Sequence, residues 1–284
     1  MNFKQIKKRI SHTFFSIVLC LLLSVILVTV CFAATNVRGF SVYRQGKFPN
    51  PSGHAGLVYS TNIDASNAII HVAKDESDYW IKKISLNSFI DTQDFYGYYV
   101  PKTLKNYSKT DQMNLRSKVI SKAHALSAID ENSLSYNALY QVWYSKDSNK
   151  NGIVDVNEIT SIRCDGLVEY CYEFYGLSVY GGNISKFDTS IRNAHSAPNV
   201  TPKQQIKHHL QNCLGDVDAD LKVTASDART VLRFSSNLES SDTYQKFVAD
   251  VDGNGNVTAE DSRLILRYAS NLESSFPGDP FPPD

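Results

Sequence analysis

Apolar and polar positions divide the chain into segments of different character. Apolar residues run almost without interruption over positions 14–32, a few residues after a basic stretch at positions 4–9. This order is typical of an export signal, and small residues precede Ala34, where such a signal would be cleaved. We therefore predict a signal peptide over residues 1–33; retention of the segment as an uncleaved membrane anchor is the alternative. Either fate leaves the following residues outside the cytoplasm.

Two segments further along alternate in the manner of β-strands. Within positions 54–58 every second residue, starting with His54, faces one side, and within positions 68–73 one side includes His71. A polar turn at positions 60–67 separates the two segments. An antiparallel hairpin would bring His54 and His71 onto a common face.

Residues 163–175 have the periodicity of a helix, with Cys164 and Cys171 on its apolar face. Cys164 stands at the predicted helix start, where unpaired N–H groups and the helix dipole lower the pKa of a thiol. We predict that Cys164 is a nucleophile, that His54 is its base and that His71 orients His54. The alternative is that Cys164 is a small buried apolar residue, which is the role predicted for Cys171.

The C-terminal part of the chain repeats itself at an offset of 34 residues. Asp216–Asp220 superposes on Asp250–Asn254, and the letters at 236–240 recur unchanged at 270–274. A duplicated supersecondary unit explains this pattern.

Each copy begins with oxygen-bearing side chains at alternate positions, as in a calcium-binding loop. Position 6 of such a loop makes a sharp turn that favours glycine; Gly255 satisfies it in the second loop, whereas Leu221 does not in the first. The predicted ligands are Asp216, Asp218, Asp220, Asp227 and the Lys222 carbonyl in the first loop, and Asp250, Asp252, Asn254, Asp261 and the Asn256 carbonyl in the second.

A helix is predicted after each loop, opened by a capping box of Thr224 with Asp227 or of Thr258 with Asp261. Each helix carries two adjacent apolar residues that we expect to be buried, and each ends at an asparagine suited to a left-handed stop. The apolar residues are Val231, Leu232, Ile265 and Leu266, and the stops are Asn237 and Asn271.

A third loop, at positions 147–158, fits the complete twelve-residue EF-hand template, including glycine at position 6. Because it ends shortly before Cys164, calcium there would order the start of the cysteine helix. An Asn-Gly turn with incidental acidic residues is the alternative. The predicted ligands are Asp147, Asn149, Asn151, the Ile153 carbonyl, Asp155 and Glu158.

The net charge of the chain adds little to these predictions. The chain has 29 basic and 29 acidic residues, and removal of residues 1–33 leaves 25 basic residues against 29. A mildly acidic chain of this kind indicates neither a nucleic-acid partner nor, after signal cleavage, a membrane surface. Three cysteines remain, Cys164, Cys171 and Cys213, which is too few and too irregular for a disulfide framework.

The duplicated loop and helix, with aspartate at position 12 of both loops, resembles a type I dockerin. The resemblance implies calcium in both loops and binding of a scaffoldin cohesin through the helices. The two helix faces differ at Ser226 and Glu260, so unequal affinities are expected in two binding orientations. The exposed positions that would contact the cohesin are Ala225, Ser226, Arg229 and Arg233, with Ala259, Glu260, Arg263 and Arg267 as the second set.

Three short motifs in the preceding part resemble the circularly permuted branch of the NlpC-like papain-fold amidases and peptidases. They are His-Ala-Gly-Leu-Val-Tyr at 54–59, Ile-Ile-His at 69–71 and Cys-Asp-Gly-Leu-Val-Glu-Tyr at 164–170. The resemblance implies that Cys164, His54 and His71 are the catalytic residues. One departure is Asp165, which stands where the family usually has serine and where a carboxylate opposes thiolate formation.

The predicted fold class is therefore α+β. An NlpC-like, papain-fold domain at 34–195, with an antiparallel sheet packed on helices, precedes a proline-interrupted linker at 196–212. A small all-α dockerin with two EF-hand-like loops follows at 213–276, and a proline-rich tail at 277–284 ends the chain.

Together, the resemblances imply a secreted component of a cellulosome-type complex, held at the cell surface through a scaffold. Its first domain would be a cysteine amidase or peptidase acting on peptidoglycan peptides or protein. The alternatives are an esterase or acyltransferase acting on polysaccharide acyl groups, and a non-catalytic binding component.

Overall fold

A computed structural model describes residues 35–47, 52–74, 79–130 and 133–282. The predicted signal peptide lies outside these residues. The part of the chain from Thr35 onward clusters into one unit. Among the described helices, none has both the length and the apolar character needed to cross a membrane.

Six strands form one antiparallel sheet in the order β4-β3-β2-β1-β5-β9. A second sheet has three strands in the order β6-β8-β7. The strands are β1 Ser41–Arg44, β2 His54–Val58, β3 Ile69–Lys74, β4 Tyr79–Ile84, β5 Phe95–Pro101, β6 Ser135–Tyr136, β7 Val142–Tyr144, β8 Ile159–Ile162 and β9 Leu210–Asn212.

Helices join and cover these strands, which confirms the α+β class and the antiparallel sheet. The helices are α1 Leu86–Ile90, α2 Lys109–Ser127, α3 Cys164–Glu173, α4 Thr189–Ala194, α5 Pro202–His208, α6 Ala225–Ser235, α7 Thr243–Ala249 and α8 Ala259–Ala269. Short 3-10 turns occur at Lys102–Asn106 and Val156–Glu158.

The helix α3, which begins at Cys164, is buried along its whole length. It packs against β2, β3 and α2. Its Tyr172 hydroxyl donates to the Gly39 carbonyl at 2.6 Å, and Gly166 lies so close to β7 that an added Cβ would be 2.0 Å from the Gln141 carbonyl oxygen. This contact explains the glycine two residues after the cysteine, because any side chain would push the helix away from its neighbours.

The segment 196–212 differs from the predicted linker because it is folded. Thr201 caps α5 by accepting a hydrogen bond from the Gln204 N–H, and β9 extends the large sheet by pairing with β5. Pro202 occupies the first turn of α5, where a missing N–H leaves no helical hydrogen bond unmade. A proline that suggested a linker therefore starts a helix.

Candidate functional site

The two loops of the repeat bring carboxylates together. In the first, oxygens of Asp216, Asp218 and Asp227 lie within 4.8 Å of one another. Asp250, Asp252 and Asp261 meet the same description in the second loop. Clusters of carboxylate oxygens are the donors that calcium prefers, so both loops have side chains suited to the ion.

Backbone N–H groups fix the carboxylates at the ends of the first loop. The Asp216 carboxylate accepts from the N–H groups of Asp220 at 3.1 Å and Leu221 at 2.9 Å. The Asp227 carboxylate accepts from the N–H groups of Val217 at 3.1 Å and Thr224 at 2.9 Å. These backbone hydrogen bonds therefore orient the carboxylate of Asp227, at the last ligand position of the loop.

The second loop repeats these bonds. The Asp250 carboxylate accepts from Asn254 and Gly255, and the Asp261 carboxylate accepts from Val251 and Thr258. The equivalence shows that the duplication seen in the sequence extends to the hydrogen bonds.

Leu221 adopts the backbone conformation that position 6 requires although it is not glycine. Its φ is +70°, close to the +86° of Gly255, and its side chain is buried. A left-handed leucine is a strained residue. The first loop therefore has the same shape as the second at an added conformational cost.

Crowding of negative charge is strongest in the first loop. Burial, together with the nearby Asp227 carboxylate, raises the pKa of Asp216 to about 8. In the second loop burial also raises the pKa of Asp250. A bound cation would offset both effects, since it stabilises the charged form of a carboxylate.

The third candidate loop, at 147–158, has the same internal hydrogen bonds. Its Asp147 carboxylate accepts from the N–H groups of Asn151 and Gly152, and its Glu158 carboxylate accepts from those of Ser148 and Asp155. These bonds join the same loop positions as in the two other loops. Positive φ values also recur at positions 4 and 6, here Lys150 at 58° and Gly152 at 73°.

The helices that follow the dockerin-like loops expose the predicted cohesin-contacting residues. Both helices open with the predicted capping boxes, and Asn237 and Asn271 have the left-handed φ values expected of helix stops, 54° and 56°. The exposed residues are Ala225, Ser226, Arg229, Arg233, Ala259, Glu260 and Arg263, and Arg267 is half-buried.

The prediction of a buried apolar pair on each helix is wrong for one member of the pair. Val231 and Ile265 are fully buried, whereas Leu232 and Leu266 are each 46% exposed. Consecutive helical residues differ by about 100° in direction, so both members of such a pair cannot point into one narrow contact. The exposed leucines lie next to the arginines and add apolar area to the same surface.

The two histidines predicted to meet are in contact. His54 Nε2 and His71 Nδ1 are 2.8 Å apart, and one of them donates according to the tautomer. His54 also stacks on Phe89 of α1 with ring centroids 5.3 Å apart. The register of β2 and β3 thus places both imidazoles on one face, as the alternation of the sequence indicates.

The Cys164 thiol lies beside β2. The N–H of Ala55, the residue after His54, lies close enough to lower the pKa of the thiol. Within the described residues, no hydrogen bond joins this sulfur to either imidazole. The structure therefore brings the thiol to the histidine strand, where its surroundings favour the protonated form.

The expectation of a low thiol pKa is wrong. Burial, followed by the charge of Asp165, raises the pKa of Cys164 to about 12, while the Ala55 N–H and Arg163 act in the opposite direction. Cys164 is only 4% exposed, and removal of water from a thiolate outweighs the contribution of a helix start. Burial also raises the pKa of Cys171 and Cys213.

Asp165 has a partner that the sequence did not indicate. Arg163 donates to both of its oxygens, at 2.6 and 2.7 Å, and Gln141 donates to it at 3.1 Å. A two-bond contact of this type neutralises a buried carboxylate. One helical turn further on, the buried Glu169 accepts from Gln205 at 2.6 Å.

Arg44 and Phe89 belong to the site and were missed by sequence reasoning. Arg44 is the partner of His54 in the β1–β2 register, and its Cζ lies 5.6 Å from the centroid of Phe89. Neither residue belongs to a motif, and only the strand register and the position of α1 reveal them.

The surroundings of both imidazoles favour their neutral forms. Burial and the charge of Arg44 lower the pKa of His71 to about 4. His54 is partly exposed, but its ring packs against Phe89, and desolvation followed by the charges of His71 and Arg44 lowers its pKa well below the usual value. A neutral imidazole is the form that accepts a proton.

Comparison with known proteins identifies one part of the chain. Residues 214–269 match the family model described as the dockerin type I domain, and a dockerin type I domain therefore occupies this region. A solved structure of the third cohesin of ScaC in complex with the ScaB dockerin from Acetivibrio cellulolyticus, which displays a type I interaction, contains a similar chain. The identity is 29%, the match covers 23% of this chain and 93% of that chain, and the TM-score is 0.23. No curated protein matches the chain.

We predict that the C2 proton of His71 titrates in NMR spectra with a midpoint near pH 4 in the folded protein. In the unfolded protein the midpoint should be about 6.5. Because the folded pKa is lower, His71 stabilises the folded state at pH values above the unfolded pKa, and this contribution is lost as the pH falls toward the folded value. A midpoint near 6.5 in both states would contradict the desolvated environment described above.

Proposed function

We propose that residues 213–276 bind calcium in both loops and bind the cohesin domain of a scaffoldin, so that the protein is a secreted component of a cellulosome-type complex at the cell surface. The observation that carries this proposal is the pair of matching acidic loops within the region that matches the dockerin type I family. The ligands would be the ten predicted residues of the two loops, with Lys222 and Asn256 contributing carbonyl oxygens.

The cohesin would bind the surface that α6 and α8 share across the repeat. Arginines and the half-exposed Leu232 and Leu266 provide the mixture of cation and apolar area found in protein interfaces. The two halves are unequal, since Glu260 forms an ion pair with Arg263 whereas Ser226, its equivalent, has no charge to offer Arg229. Two binding orientations of different affinity are therefore expected.

Substituting Arg229→Ala together with Arg233→Ala should weaken binding in one orientation, and Arg263→Ala together with Arg267→Ala should weaken it in the other. We expect each pair to reduce the affinity of its own orientation by about tenfold or more, because interface arginines contribute strongly to binding. Calorimetry with a cohesin from the source organism measures this effect, and a chelator should abolish binding in all variants. A variant that combines all four substitutions should bind much more weakly still; if its cohesin affinity equals that of the unmodified protein, the assigned surface is wrong.

We also propose that the loop at 147–158 binds a third calcium ion. Its end-position carboxylates accept hydrogen bonds from the same loop positions as those of the dockerin loops. The ligands would be those predicted from the sequence. The loop closes at Glu158, directly before β8 and α3, so an ion there would stabilise the start of the cysteine helix.

Equilibrium dialysis should detect three calcium ions per chain. Glu158→Gln removes the carboxylate that closes the third loop and should lower the stoichiometry to two, because a neutral amide is a poorer ligand for a hard cation. Asp94→Asn, which removes one negative charge outside the loops, should leave three. Two ions in the unmodified protein would remove the third site from the proposal.

We propose further that the N-terminal domain is a cysteine amidase or peptidase of the NlpC-like type, acting on peptidoglycan peptides or protein. The support is the 2.8 Å contact of His54 with His71, on a strand whose Ala55 N–H lowers the pKa of the Cys164 thiol. In this reaction His54 would take the thiol proton as the sulfur attacks the carbonyl carbon, and N–H groups at the start of α3 would stabilise the oxyanion. His54 would then give the proton to the leaving amine as the C–N bond breaks, and water would hydrolyse the thioester to release the acid and restore the thiol. An ester substrate on a polysaccharide would use the same groups.

The burial of the thiol favours a second function, a binding component without catalysis. A protonated thiol that is 4% exposed is also the pattern of a packed structural residue. The two functions differ in whether the thiol becomes acylated, so a covalent test separates them.

An acylating activity-based probe should label Cys164 in the intact protein. Cys164→Ala should abolish labelling, and His54→Ala should reduce it by about 100-fold or more, since a positioned base contributes on this scale. Cys171→Ala is the matched control, because Cys171 lies on the same helix and is also buried. Mass spectrometry locates the label. Absence of labelling at Cys164 under all conditions would favour the binding component.

A further inference from the structure

The dockerin helix α7 packs against the large sheet of the N-terminal domain. Tyr244 of α7 is fully buried and contacts Tyr98 with ring centroids 5.0 Å apart and Phe40 with centroids 6.1 Å apart. Phe247, one turn later, contacts Phe95 at 4.8 Å. These are edge-to-face contacts of the kind found in protein cores.

Polar contacts surround the aromatic cluster. Asp242, which caps α7, accepts a hydrogen bond from the Thr35 N–H at 2.8 Å, and the Cys213 N–H donates to the Tyr98 carbonyl at 3.0 Å. A further bond joins Asn212 to Asp279 in the C-terminal tail at 3.0 Å. The contact therefore has a buried apolar centre with hydrogen bonds around it, as in a permanent interface.

The same helix is attached to both calcium loops. The Tyr244 hydroxyl donates to the Asp216 carbonyl at 2.7 Å, and Asp216 is the first position of the first loop. At its other end α7 is followed directly by Asp250, the first position of the second loop. If an ion orders either loop, that ordering therefore acts directly on α7, which joins the two domains.

The contact leaves the proposed cohesin surface accessible. The residues assigned to that surface lie on α6 and α8 and are exposed, apart from the half-buried Arg267. Intramolecular packing and cohesin binding thus use different helices of the same dockerin.

We propose that the N-terminal domain and the dockerin form one cooperative folding unit, in which calcium bound by the dockerin loops stabilises the N-terminal domain through α7. This inference rests on the calcium binding proposed above. A ligand that binds only the folded state stabilises everything that folds together with its site. The coupling is reciprocal, so loss of the α7 interface should also weaken calcium binding.

The chain offers a probe that reports on one domain alone. Its two tryptophans, Trp80 and Trp143, both precede the dockerin, so tryptophan fluorescence follows unfolding of the N-terminal domain. The experiment uses the full chain carrying Glu158→Gln, which removes the proposed third site and with it any direct effect of calcium on that domain. Calcium at about 100 times its dissociation constant should raise the fluorescence-monitored midpoint by at least about 5 °C.

Phe247→Ala removes the ring from the interface without touching a calcium ligand and should reduce this calcium-dependent rise by at least about half. Tyr244→Phe keeps the ring and removes only the hydroxyl bond to Asp216, so it tests this link in a protein whose packing is intact. Its calcium-dependent rise in the fluorescence midpoint should be smaller than that of the parent. Leu238→Ala, a change at a dockerin leucine that is 69% exposed, is the control and should respond as the parent does.

Calorimetric titration with calcium separates the two ways of failing. If the parent binds calcium and its fluorescence midpoint does not move, the domains fold independently and the inference is overturned while the calcium proposal stands. If the parent binds no calcium, the proposed function of the loops fails first. An unchanged rise in both Phe247→Ala and Tyr244→Phe would also overturn the role assigned to α7.

Discussion

Hydrogen bonds from backbone N–H groups to carboxylates shape three separate loops of this protein. Each loop contains two residues with the left-handed backbone conformation. In the first dockerin loop neither of them is glycine: they are Ala219 and Leu221. Such conformations each cost on the order of 1–3 kcal/mol when the residue is not glycine. They persist because the carboxylate of Asp216 accepts from the N–H groups that these turns point inward. The oxygens that would bind an ion therefore also determine the path of the chain.

A second constraint is the burial of charge around α3. Arg163 and Asp165 neutralise each other next to the thiol, and Glu169 is held by Gln205 and by His195, whose Nε2 lies 2.9 Å from its carboxylate. Gln205, from the segment 196–212, thus contributes to burying this helix with its charges partnered. The same low-dielectric surroundings keep the Cys164 thiol protonated. Stability of the helix and ionisation of its cysteine are opposed, so a thiolate would require a proton acceptor, which is the role proposed for His54.

Local patterns in the sequence predicted the features of the structure that depend on the spacing of residues along the chain. The duplicated loops, their capping boxes and the left-handed stops at Asn237 and Asn271 were predicted because each is determined within about twelve residues. The meeting of His54 with His71 followed from strand alternation. The packing of α7, the position of Arg44 and the pKa of Cys164 depend on contacts between distant segments, which spacing does not encode. Pro202 was misinterpreted because proline suits both a linker and the first turn of a helix.

The folded connection limits the orientations that the N-terminal domain can take relative to the dockerin. A flexible linker would let the attached domain sample many orientations around its scaffold, since such a chain behaves as a random coil. Here β9 joins the large sheet, and α7 covers part of it, so the helices exposed for a cohesin are fixed relative to the His54–His71 pair. Two cohesin-binding orientations would then present the same site in two defined directions rather than in a continuous range. Because the interface also borders both proposed calcium loops, a calcium ion bound there would fix the direction in which the N-terminal domain faces as well as the surface proposed for the cohesin.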